Sequence, residues 1–198
     1  MSSLIKANHT WIVVSAKSAR ALFEGCTTSF ITNVCHRRCC LIGRGGKFHT
    51  SVPVTMVEAK RLSRFPVVIK SCRYCQVLQP TDNGRCYFHD QGTGFCALHC
   101  KLYRGVSIKP SSCFISPWNL TRGGRLVIAW RYRALKCHKV PKGIPAYDAF
   151  AKGLDIIFGA ERAAEIRKHL NDGGADVGGW VADDMVAFLR SRSKQWNR

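Results

Sequence analysis

"TMVEAKRLSRFPVVIK", residues 55–70, places a helix and a strand in one short stretch, and the class of fold follows from it. Thr55 stands three residues before Glu58, the spacing of a capping box. The hydroxyl accepts from the Glu58 N–H while the carboxylate reaches back to the Thr55 N–H. This predicts a short helix over about 56–64. Pro66 has no amide hydrogen and ends it. The "VVIK" that follows has the β-branched character of a brief strand.

The same mixture extends outward in both directions. Trp11 to Val14 reads as a strand, and Ala19 to Phe23 as a short helix. "GGRLVIAWRYRAL", residues 123–135, reads as one arm of a hairpin that turns at Gly123–Gly124. On a continuous strand, period two puts Trp130 and Tyr132 on one face and Arg131 and Arg133 on the other. Buried rings under an exposed basic row are expected; the sharper alternative is an exposed aromatic platform for single-stranded nucleic acid. "KVPKGIP", residues 139–145, reads as a hinge. Beyond it, "AYDAFAKGLDIIFG" has Tyr147, Phe150, Leu154 and Ile157 at helical spacing, with Gly159 as a stop. "AERAAEIRKHLN" repeats the pattern, and "GWVADDMVAFLRSRSKQW" predicts a third helix with Val181, Met185, Phe188 and Leu189 inward.

These readings predict an α+β protein. A small, irregular, cysteine-rich core of short strands and helices, stapled by metal, would occupy residues 1–143, and residues 144–198 would form a C-terminal helical cap packed on it. Charge divides the chain at the same place. Residues 1–143 hold 23 Lys and Arg against Glu24, Glu58, Asp82 and Asp90, and so carry the whole formal charge of +19. Residues 144–198 balance eight bases with eight acids. A basic balance of this kind implies nucleic acid or an acidic protein as a partner. It also suits bound thiolates, which nearby Arg and Lys keep deprotonated. No apolar run reaches the ~18 residues that a membrane span needs, and "WIVVSA" is too short and wrongly flanked for a secretory signal. The expected location is the cytoplasm, although the acid-free residues 1–23 also resemble an organelle transit peptide.

All 11 cysteines lie in the basic part: Cys26; Cys35, Cys39 and Cys40; Cys72 and Cys75; Cys86; Cys96 and Cys100; Cys113; Cys137. An odd number leaves one over from complete pairing, and vicinal Cys39 and Cys40 do not readily bond to each other. In a reducing compartment, clustered cysteines point to metal or redox chemistry. "CRYC" supplies a two-thiolate bite. Zinc and iron–sulfur both accept four thiolates, and the spacing matches neither a common ferredoxin run nor a regular zinc finger. His36, His89, His99 and His138 lie close to these cysteines and are candidate ligands or donors of supporting hydrogen bonds.

"CHRRCC", "SVPVTMVEAKRL", "GRCYFHDQGTGFCALHCKLYRGVSIKPSSCFISP" and "LVIAWRYRALKC", spanning residues 35–137, together resemble the YkgJ-type, or CxxCxxCC, zinc- or iron-chelating family. That family has a cysteine knot ending in CC, a threonine–glutamate helix start and a block of the form GxC…CxxH…KPxxCxxxP. The resemblance implies Cys35, Cys39, Cys40, Cys86, Cys96, Cys113 and Cys137 as the ligand pool. Cys72, Cys75 and Cys100 lie outside the pattern and join as further candidates with His99. The knot here lacks the upstream CxxC of the family. A relative of that family, the flagellin lysine-N-methylase, carries a similar cysteine block, which would imply an iron–sulfur cluster and S-adenosylmethionine.

Three functional classes follow. The first is a cysteine-cluster metalloprotein holding iron–sulfur, as 4Fe–4S, or zinc, with a basic surface for an acidic partner. The second is an iron–sulfur-dependent enzyme such as a protein lysine methyltransferase. The third is a nucleic-acid-binding or structural zinc protein. No Ser-His-Asp or paired-carboxylate arrangement is legible, which argues against hydrolysis through carboxylates.

Overall fold

A computed structural model describes residues 8–24, 52–71, 76–82, 85–90, 96–100, 108–130, 132, 135, 137–138 and 140–196. The chain is α+β. Strand β1 (His9–Val14) leads into helix α1 (Ala16–Ala19) and strand β2 (Leu22–Phe23). A second group follows: β3 (Val52–Val54), α2 (Met56–Leu62), β4 (Ile69–Ser71), β5 (Gln76–Leu78) and α3 (Ala97–Cys100). Helix α4 (Ser111–Ile115) precedes the hairpin β6 (Trp118–Leu120) and β7 (Arg125–Ile128). The C-terminal part contains β8 (Ile144–Pro145), α5 (Ala146–Ala149), α6 (Ala151–Phe158), α7 (Ala160–Asn171), β9 (Val177–Ala182) and α8 (Asp183–Trp196).

Two hydrophobic cores organise these elements. The larger surrounds a four-stranded sheet of order β6-β7-β1-β9. Ile12, Val14, Trp118, Leu126 and Val181 from the sheet pack with Leu154, Ile166 and Leu189 from the helices. The opposite face leaves Trp11 and Trp180 exposed, edge to face at 5.2 Å. The smaller core lies on the three-stranded antiparallel sheet β3-β5-β4 and joins Val54, Leu62, Leu78, Phe88, Cys96 and Leu98. β1 pairs in parallel with β7, so the chain between them, residues 15–124, carries the smaller sheet as part of one long crossover. β1 also pairs along its full length with β9, from His9 opposite Ala182 to Val14 opposite Val177. Packing thus groups the chain differently from charge, because residues near both ends share the larger core.

The capping box forms as the sequence predicts. The Glu58 N–H donates to Thr55 Oγ1 at 3.2 Å, and Glu58 Oε2 accepts from the Thr55 N–H at 2.8 Å. The same carboxylate does more than cap. Its Oε1 accepts from the Ser111 N–H at 2.7 Å and from the Ser111 hydroxyl at 2.6 Å, tying α2 to α4. Ser112 Oγ donates to the Pro53 carbonyl and adds a second tie between α4 and β3. Glu58→Ala removes the carboxylate half of the capping box and the tie together and lowers the unfolding free energy by about 2–3 kcal/mol, read by urea denaturation.

Several expectations need correction, each for a tertiary reason. The first helix covers Ala16–Ala19, earlier than expected, because Leu22 and Phe23 are drawn into pairing with Pro145 and Ile144. The expected hinge at 139–145 is therefore built into the fold. A Cβ at Gly143 would lie 2.9 Å from the Phe23 carbonyl oxygen, so only glycine permits this approach. The expected third C-terminal helix begins later, at Asp183. Val181 points into the core from strand β9, between exposed Trp180 and Ala182, in the alternation of a half-buried strand. Strand β7 ends at Ile128, so the expected common face of Trp130 and Tyr132 does not form: Trp130 is 60% exposed and Tyr132 5%. The strand read in "VVIK" lies slightly later, at Ile69–Ser71. Gly159 does end its helix, at φ +81°, a backbone conformation natural to glycine. Tyr147, Leu154, Ile157, Phe188 and Leu189 face inward as their spacing predicts.

Candidate metal centre

The smaller core gathers two of the expected ligands. Beyond β5 the chain turns, with the Thr81 N–H and hydroxyl both directed at the Arg85 carbonyl at 2.8 and 3.0 Å. Cys86 follows at once, and its carbonyl accepts from the His89 N–H at 3.0 Å, which closes a tight loop from Cys86 to His89. His89 then forms an isolated antiparallel bridge with Cys96. The Ala97 N–H donates to the Phe88 carbonyl at 2.8 Å and extends that pairing. Two local structures therefore converge on one histidine: a turn brings Cys86 near it in sequence, and a bridge sets Cys96 across from it. Phe88, between them, packs edge to face on Phe65 at 5.2 Å and anchors the loop in the core.

His89 is the unusual group here. Both ring nitrogens are buried, and neither has a hydrogen-bond partner among the described residues. A neutral imidazole carries one N–H donor and one lone-pair acceptor. Leaving a buried polar group unsatisfied costs about 1–3 kcal/mol, and native proteins rarely bear that cost without an ion, a water or a function. Cys96 is buried and Cys86 half-buried against the same cluster. Thiolate and imidazole are donor types that suit zinc, and they also suit iron sites that accept imidazole.

The other candidates separate. Cys113 lies half-buried on α4, with its N–H donating to the Pro110 carbonyl at 2.9 Å. Cys137 packs against the larger core, not the smaller one. Its carbonyl accepts from the Glu24 N–H at 2.8 Å, and neighbouring His138 meets the Phe23 ring edge to face at 5.0 Å. Cys100 and His99 fall on α3, but their side chains lie outside the described residues, as do Cys26, Cys35, His36, Cys39, Cys40, Cys72 and Cys75. Among the described residues, no three His, Cys, Asp or Glu side chains form a group able to hold a metal ion. Nor is any helix among them long and apolar enough to cross a membrane.

The sequence names His89 as a candidate but gives the preference to His99, which matches the family block; burial of both His89 nitrogens is visible only in the fold. No family model, curated protein or solved structure matches the chain. The functional reading accordingly rests on this chain's own residues.

Proposed function

We propose that the protein is a metal-binding protein whose centre joins His89 and Cys96 of the smaller core to thiolates of the cysteine knot, with the metal holding that core. The observation that carries this reading is the pair of buried His89 ring nitrogens with no partner among the described residues, on a residue fastened by backbone to a cysteine on each side. Cys96 would bind as a thiolate, and His89 would bind through the ring nitrogen that lacks a proton. The knot of Cys35, Cys39 and Cys40 supplies the remaining thiolates in this reading. An imidazole in the donor set favours zinc over an all-thiolate 4Fe–4S cluster. When bound, zinc would cross-link a sheet of three-residue strands that has little core of its own. The basic balance of residues 1–143 keeps the thiols ionised and leaves a surface suited to an acidic partner.

The test is the metal content of purified protein and of single variants. Wild type carries stoichiometric zinc, and His89→Ala and Cys96→Ser lose it, whereas Cys137→Ser on the other core retains it. Full metal content in His89→Ala would remove this centre. A brown protein absorbing near ~400 nm would instead establish iron–sulfur.

A further inference from the structure

A second feature, independent of the metal, lies where the two cores meet. Helices α2, α4 and α6 enclose an open cleft of about 220 Å³. Arg61, Lys109 and Lys152 line it, one from each side, over an apolar floor of Ile108, Phe114 and Ile156. The carboxylate in its wall, Glu58, is turned to other work: one oxygen accepts from the Thr55 N–H and the other from Ser111. Asp155, next along α6 from this wall, is paired with Arg167 at 2.8 Å. Neither Arg61 nor Lys152 makes a side-chain hydrogen bond or ion pair among the described residues. Lys109 lies over the Phe114 ring, with Nζ 4.8 Å from its centroid, so its charge is held at the cleft.

We propose that this cleft binds a phosphate group, recognised by Arg61, Lys109 and Lys152 together. Among the described residues, Arg61 and Lys152 outnumber the one carboxylate of the lining, and a bound anion relieves their mutual repulsion. The apolar floor is a low-dielectric wall that focuses this field into the cleft. Arg61 brings the planar fork that matches two phosphate oxygens, and the lysines add compact charges. The Ser111 hydroxyl, also in the lining, gives its one proton to Glu58 and has none to donate to an anion, so the selectivity comes from the cations. A phosphate reaches such a cleft either as a free or small-molecule phosphate or as one link of a nucleic-acid backbone. The positive balance of residues 1–143 accommodates both.

The experiment is a titration of the full chain with inorganic phosphate at constant ionic strength, followed by amide chemical shifts. Saturable shifts confined to α2, α4 and the start of α6 are expected, and the double variant Arg61→Ala/Lys152→Ala weakens binding about tenfold or more. The control Arg122→Ala/Lys142→Ala alters exposed bases away from the cleft and leaves binding unchanged. Absence of saturation, or equal weakening in both double variants, overturns the proposal in favour of diffuse charge. A second titration uses a short single-stranded RNA without terminal phosphates. Shifts at the same amides, competed by phosphate, assign the cleft to backbone phosphates; no RNA shifts there, with phosphate binding intact, assign it to small phosphates.

Discussion

Arg192→Ala lowers the unfolding free energy by about 3–5 kcal/mol, a large loss for a single polar side chain. The Arg192 side chain is 1% exposed although it belongs to a basic C-terminal stretch. Its Nη1 donates to the Trp118 carbonyl at 3.3 Å. Its Nη2 lies 3.2 Å from the Ser112 carbonyl and 3.1 Å from Ser116 Oγ. One planar guanidinium thus fastens α8 to the end of α4 and the start of β6, the segment that also carries the ties to β3 and Glu58. Truncation leaves these acceptors buried without their donor and opens a cavity beside Trp118. Arg192→Met fills most of that volume yet restores no donor, so it still costs about 2 kcal/mol. Arg192→Lys keeps the charge but replaces the fork with a point donor that cannot reach all three acceptors. Chemical denaturation orders the variants Ala, Met and wild type in rising stability; equal stability of Ala and wild type would show that the buried guanidinium contributes nothing.

Removal of the proposed metal is expected to give the second large effect, and its location is the distinctive part. The smaller sheet has strands of three residues and a core of a few side chains, too little to offset the entropy of ordering its loops. The larger core has a six-residue strand pair, long helices and the Arg192 anchor. A strong chelator should therefore abolish hydrogen-exchange protection in β3, β4, β5 and the His89–Cys96 bridge. The β1–β9 pairing stays protected. A structural zinc site contributes roughly 10 kcal/mol of binding free energy, far more than a unit of this size holds otherwise. Uniform loss of protection would mean that metal supports both cores equally, and unchanged protection would mean that it supports neither.

The features that were legible in the sequence are local ones. The capping box needs only Thr55 and Glu58 three residues apart, and it forms as read. The facing of Tyr147, Leu154 and Ile157 follows from spacing alone. What escaped is long-range. Leu22–Phe23 has the composition of a helix end and becomes a strand because Ile144–Pro145 lies beside it. Val177–Ala182 contains two glycines, yet its pairing with β1 overrides their poor strand propensity. Arg192 sits in "RSRSKQW", which has the look of a solvated helix end, and no pattern in that stretch signals burial. The candidate site divides the same way. Its residue types were readable from the cysteine groups and the flanking histidines. The partition that puts Cys86 and Cys96 on one core and Cys137 on the other depends on which loops close on which sheet.

X-ray absorption at the metal edge of the purified protein tests the central claim most directly. The account predicts a four-coordinate zinc shell of mixed donors, with sulfur at about 2.3 Å and one imidazole nitrogen at about 2.0 Å. It also predicts that the nitrogen contribution disappears in His89→Ala. A shell of sulfur alone, or an imidazole signal that survives in His89→Ala, would contradict it.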